Sequence, residues 1–130
     1  MRVFISSTLR DEWNRGYNLR LCERLESLGI ECFLPQRDAD TSSPRLIFTS
    51  NMAGIADADV VLSLVINESP SLGMEAGYAY GINKKLVLLT AADHSMPDMF
   101  TGMDEPCVRM IVPDLDDLDA YVYELVEHLR

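Results

Sequence analysis

The run Asp59-Val60-Val61-Leu62-Ser63-Leu64-Val65-Ile66 limits the possible folds more than any other stretch of the chain. Its apolar side chains do not alternate with polar ones, as in a strand with one wet face; they fill nearly every position. An unbroken aliphatic run of this length suits a central parallel strand, buried on both faces. Parallel strands need crossover connections, and the crossovers bring helices to both sides of the sheet.

The rest of the sequence supplies them. "RVFIS" (2–6) reads as a strand, and from about Asp11 to Leu28 the pattern turns helical, with Tyr17, Leu21, Leu25 and Leu28 three or four apart and Gly29 as the stop. "ECFLP" (31–35) is a second strand ended by proline, and "QRDADTSSP" a polar loop whose Pro44 opens a helix to about Ala58. After the central run come a helix from about Leu72 to Gly81, a strand "KLVLLT" (85–90), and a loop (91–107) rich in Asp, Met and Pro. A fifth strand, "VRMIV" (108–112), precedes an amphipathic helix from Asp114 to Leu129, whose acidic start "DLDDLD" (114–119) suits a helix N-terminus. Strand and helix alternating five times predict an α/β fold: one doubly wound, flavodoxin-like sheet of five parallel strands with right-handed crossovers. Ligands of such sheets bind beyond the carboxyl ends of the strands. The loops 6–10, 66–73 and 90–102 are expected to converge there.

A length of 130 residues predicts one domain, residues 1–130. The net charge of −10 excludes a nucleic-acid polymer as partner, because phosphate backbones require a basic face; a nucleoside or nucleotide is not excluded. Cys22, Cys32 and Cys107 are widely spaced, with no Cys-x-x-Cys and no His/Cys cluster, so reduced thiols, no metal site and no cofactor are expected. No secretory signal is visible and no apolar run reaches membrane length, which predicts a cytoplasmic protein without a membrane partner.

Chemistry concentrates in "SPSLGMEAGYA" (69–79), where Glu75 stands in the first turn of the helix that follows the central strand. An acid at a helix start is favoured by the macrodipole alone. Here Pro70 stiffens the approach, and Gly73 and Gly77 let a backbone or ligand come close. A carboxylate held at a helix N-terminus stays ionised near neutral pH and can attack an electrophilic carbon.

The stretch "NMAGIADADVVLSLVI" followed by "SLGMEAGYAYGINKKLVLL" closely resembles the nucleoside 2-deoxyribosyltransferases and the neighbouring deoxynucleoside monophosphate N-glycosidases. The likeness runs from "VFISSTLRD" to "EPCVRMIV" and is most specific at "LGMEAGYA". The resemblance implies a homodimer or larger oligomer with shared active sites, a small nucleoside or nucleotide substrate, and a retaining mechanism. In it Glu75 attacks the anomeric carbon, expels the base, and yields its glycosyl ester to a second base or to water.

Carried over residue by residue, the resemblance also shows departures. Asn51 stands where the family usually has an aspartate that helps to bind and protonate the leaving base or to orient the sugar; an amide hydrogen-bonds but is no acid. A second family aspartate, which holds the sugar hydroxyls, falls on Ser69 or Ser71. The segment Pro70-Ser71-Leu72-Gly73 matches the phosphate-contacting form of the monophosphate hydrolases, and Thr8-Leu9-Arg10 is a near match to the Ser-x-Arg of their first loop, with Ser7 beside it as a further substrate-binding candidate. As a bare sequence feature, Arg10 is equally a surface arginine. Asp98 is the match for a residue lent by the neighbouring subunit, and Phe4 replaces a tyrosine that steadies the nucleophile. A base-exchanging transferase is the first expectation and a 5′-monophosphate hydrolase the second. Two further alternatives are a Toll/interleukin-1-receptor-like NAD-cleaving or signalling domain, suggested by "MRVFISSTLRDEW" and "GIECFLPQRDAD", and a catalytically weak nucleotide-binding protein.

Overall fold

The computed structural model covers residues 1–130. Five strands, β1 (Arg2–Ser6), β2 (Glu31–Phe33), β3 (Val60–Leu64), β4 (Lys85–Ala91) and β5 (Cys107–Val112), form one sheet in the order β2-β1-β3-β4-β5, every pair parallel. This is the doubly wound α/β sheet that the unbroken central run predicted, and all five residues of β3 are buried. The helices are α1 (Glu12–Ser27), α2 (Pro35–Asp38), α3 (Pro44–Asp57), α4 (Pro70–Gly81), α5 (Asp98–Thr101) and α6 (Val122–Leu129).

Strand period 2 sorts the sheet's side chains between two cores. Val3, Ile5, Leu62 and Leu64 face α1 and α6 in a cluster of 23 buried residues. Phe4, Val61, Val65 and Leu88 face α3 and α4 in a cluster of only 11, and it is on this thinner side that the molecule opens into a cavity.

Caps fix the helix starts. Asp11 accepts from the Trp13 N–H at 2.9 Å, and Ser43, ahead of Pro44, accepts from the Leu46 N–H at 3.2 Å. Gly29 takes φ 84°, the left-handed conformation that a chain reversal after α1 requires.

Four elements differ from the sequence expectation. The second strand ends at Phe33, since Leu34 and Pro35 turn the chain into α2, inside what reads as loop. The loop after β4 contains the single turn of α5. Helix α4 starts at Pro70 rather than Leu72, because Ser69 caps the Leu72 N–H and proline takes the first helical position.

The fourth difference is the closing helix. It begins only at Val122, so the acidic run 114–119 is a turn and a short 3-10 segment (Leu118–Ala120), not a helix N-terminus. Asp114 accepts from the Asp116 N–H at 3.0 Å, a local bond that competes with helix. Asp116 takes the Trp13 indole and Arg20, and Tyr121, bonded to Leu115 O and to the Tyr17 hydroxyl (both 2.6 Å), pins the segment to α1.

At Gly54 helix α3 comes close to the sheet. A Cβ there would lie 3.1 Å from the Phe4 ring and 3.3 Å from Phe33, two rings already stacked at 5.3 Å. Gly54→Val therefore lowers stability by about 2–3 kcal/mol through overpacking. Gly77→Ala, in α4 with open space around its Cβ, raises it by about 0.5–1 kcal/mol. Chemical denaturation of the pair checks both signs.

Candidate functional site

The strand order reverses between β1, which turns toward β2, and β3, which leads on to β4, so the crevice beyond their carboxyl ends is the topological switch point. Ser6 ends β1, and α4 leaves the end of β3 through the Ile66–Ser69 loop. Across that crevice the Ser6 hydroxyl donates to Glu75 Oε1 at 2.8 Å, joining residues 69 positions apart. The other carboxylate oxygen has no hydrogen bond within the chain, and Glu75 lines the cavity.

Because α4 begins at Pro70, Glu75 lies in its second turn, not its first, and the helix N-terminus does not hold it ionised. The residue is only 6% exposed, and burial pushes its carboxyl up to about 7. The Ser6 bond pulls the other way but is outweighed, and no cation is near enough to compensate. A buried acid without an ion-pair partner titrates near neutrality, which is unusual for a structural residue and common for a reacting one.

Two cavities meet at this carboxylate. One, of about 230 Å³, has an apolar wall of Ile47, Phe48, Met52 and Met74. The other, of about 210 Å³, is polar, with Ser7, Arg10 and Ser69. Ile47, Asn51, Ser71 and Glu75 line both. Neither lobe alone reaches the roughly 300 Å³ at which ligand pockets usually begin, so an organic ligand of ordinary size would occupy both and lie across Glu75.

Of the sequence-predicted residues, Glu75, Ser7, Arg10, Asn51, Ser69 and Ser71 thus share one crevice. Thr8 is buried behind them and lines neither lobe. Gly73 faces outward with open space around it, and Asp98 borders a separate depression beside Gly77 and Tyr80. Within one chain, Asp98 does not reach the crevice.

Unsatisfied groups gather here. Four buried side-chain atoms in the molecule lack a hydrogen-bond partner: Thr8 Oγ1, Asn51 Oδ1, Ser63 Oγ and Asn18 Oδ1. The first belongs to the β1 loop behind the crevice, the second lines it, and Ser63 is the register partner of Ser6. Buried polar atoms are normally paired, so unpaired ones beside a cavity leave bonding capacity for something that enters it. Arg10, the one arginine lining the crevice, makes no ion pair. No group of three or more His, Cys, Asp or Glu side chains is arranged to hold a metal ion.

Ser6 is the residue that sequence reasoning missed. Phe4, at the family's tyrosine position, is fully buried in the ring stack with Phe33 and has no hydroxyl to offer a carboxylate. Strand periodicity held the signal, because Ser6 lies on the same face as Phe4, one step closer to the crevice. Ser6→Ala removes the one bond that favours the ionised carboxylate. The titration midpoint of Glu75, followed by carbon NMR of labelled glutamate, is expected to rise by about one pH unit or more; an unmoved midpoint would show that the bond carries no weight.

A doubly wound α/β protein with a buried, near-neutral carboxyl at the switch point of its sheet is the class that fold and site define. The sequence matches the nucleoside 2-deoxyribosyltransferase family over residues 3–123, and the chain belongs to that family. No protein of curated function matches it by sequence.

Among solved structures it is similar to the CMP N-glycosidase BcmB of Clostridium botulinum, with a TM-score of 0.74, 20% identity, and 97% of this chain and 99% of that one covered. It is also similar to a 2-deoxyribosyltransferase from Bacillus psychrosaccharolyticus, with a TM-score of 0.72, 16% identity, and coverage of 97% and 96%. At such identities these likenesses speak to the fold alone. No helix is long and apolar enough to cross a membrane.

Proposed function

We propose that this protein cleaves the N-glycosidic bond of a nucleoside 5′-monophosphate by a retaining mechanism in which Glu75 is the nucleophile. The observation that carries the reading is the Glu75 carboxylate itself, held through one oxygen by Ser6 while the other is free at the junction of an apolar and a polar lobe. The free oxygen forms an ester with the anomeric carbon as the base departs, and water then cleaves that ester. The base lies against Phe48, Met52 and Met74, and the sugar hydroxyls meet Asn51 and Ser71. The phosphate meets Arg10, Ser7, Ser69 and the amide end of α4, where anions are favoured.

Arg10, unpaired and beside two serine hydroxyls, favours the monophosphate over a plain nucleoside. Transfer to a second base is the other reading, and family membership favours it. The Leu46, Ile47, Phe48, Met74 and Tyr78 side chains are exposed along α3 and α4 beside the apolar lobe, and we place self-association there, in the cytoplasm.

The test is to incubate the protein with nucleosides and their 5′-monophosphates, follow free base by chromatography, and quench early for intact-mass spectrometry. A glycosyl-sized adduct mapping to Glu75 is expected. Base release with no adduct at any quench time counts against the nucleophile, and no base release from any substrate counts against the function.

A further inference from the structure

We infer that the preferred substrate of this site is a nucleotide whose base already carries a positive charge on its ring system, a pyridinium or N7-alkylpurinium nucleotide. The inference rests on the glycosidase reading above and names its substrate class. The basis is the shortage of acids in the crevice. Among the side chains lining the two lobes, the ionisable ones are Glu75 and Arg10. Glu75 must be ionised to attack, and an arginine gives up no proton. Asn51, across from Glu75, offers an amide with an unpaired acceptor oxygen and cannot act as a general acid. Within one chain no further acid lines the lobes: Glu68 is paired with His94, and Asp98 borders another depression.

A neutral base leaves as an anion unless it is protonated, so it leaves slowly from such a site. A cationic base has no such need. As the Glu75 oxygen bonds to the anomeric carbon, the carbon–nitrogen bonding pair passes to the ring nitrogen and cancels the ring's positive charge. The base departs neutral with no proton transferred. Water then adds to the anomeric carbon, Glu75 leaves as carboxylate, and the water's surplus proton goes to solvent.

The lobe that would take the ring suits such a cation. Phe48 presents an aromatic face and Met52 and Met74 polarisable sulfurs. The free Asn51 oxygen and the Glu75 carboxylate add negative potential at its floor. The net charge of −10 disfavours a nucleoside 5′-monophosphate less when its ring carries a compensating positive charge, and Arg10 faces the phosphate.

The test is a matched pair differing only in ring charge, 7-methylguanosine 5′-monophosphate against guanosine 5′-monophosphate, with nicotinamide mononucleotide as the pyridinium member. We expect kcat/KM to favour each cationic substrate by 10³-fold or more over neutral ribonucleotides, cytidine 5′-monophosphate included. Asn51→Asp, which restores an acid, is expected to raise turnover of the neutral bases at least tenfold. Cleavage of neutral and cationic members within tenfold of each other would overturn the inference and leave the glycosidase reading standing. Inertness toward every member would overturn both.

Discussion

Glu75→Gln is expected to lose base release by about 10⁴-fold or more and, at the same time, to make the protein more stable above neutral pH. The first effect follows from the proposed role of Glu75 as nucleophile, which no other side chain lining the two lobes can take over. The second follows from the carboxyl's displacement from the usual 4.5 to about 7. Between those values the folded chain holds a proton that the unfolded chain has released, so stability falls as pH rises through the window. At roughly 1.4 kcal/mol per pH unit, the full displacement amounts to about 3 kcal/mol, lost once the pH passes 7. Glutamine keeps the Ser6 contact and carries no charge to bury. Denaturation at about pH 4, below both values, should find the two proteins nearly equal, and at pH 8 the variant ahead by up to about 3 kcal/mol. Equal stability at both would mean that the carboxylate is better solvated than its 6% exposure implies. Activity of the parent protein should rise about tenfold per pH unit below 7 and level off above, as the attacking form accumulates.

The second large effect concerns Arg10. Replacement by methionine keeps a long apolar stem and removes the guanidinium, the one cation lining the polar lobe. Charge-assisted hydrogen bonds are worth about 1.5–3 kcal/mol each, so kcat/KM for a 5′-monophosphate should fall by about 10- to 100-fold. The corresponding nucleoside, which has nothing for Arg10 to hold, should be processed as before. A loss common to both substrates would assign Arg10 to the folding of the loop after β1 rather than to phosphate.

Much of this was legible in the residues because their periods are unambiguous. An unbroken β3 flanked by helical spacings leaves few topologies, and the sheet edge that carries Glu75 follows from chain order alone. What misled was local chemistry. Ser69-Pro70 is a cap-and-first-turn signal; taking the helix from Leu72 put Glu75 one turn too early and made it an ordinary ionised acid. The acidic run 114–119 has the composition of a helix start, but Asp114 spends its side chain on a turn and Tyr121 ties the segment to Tyr17, a bond 104 residues long that no local pattern announces. Burial was the other invisible term. The near-neutral titration of Glu75 comes from the packing of α4 against the sheet, and the Ser6 tie from two strands that meet only after folding.

The Ser6–Glu75 bond has one more consequence, for the order in which competence is acquired. The acid travels on the fourth helix and its anchor on the first strand, so the sequence signature "LGMEAGYA" has no chemistry as an isolated fragment. Under the proposed mechanism the site is complete only once β1 lies against β3, so the return of turnover during refolding is expected to follow the pairing of those two strands.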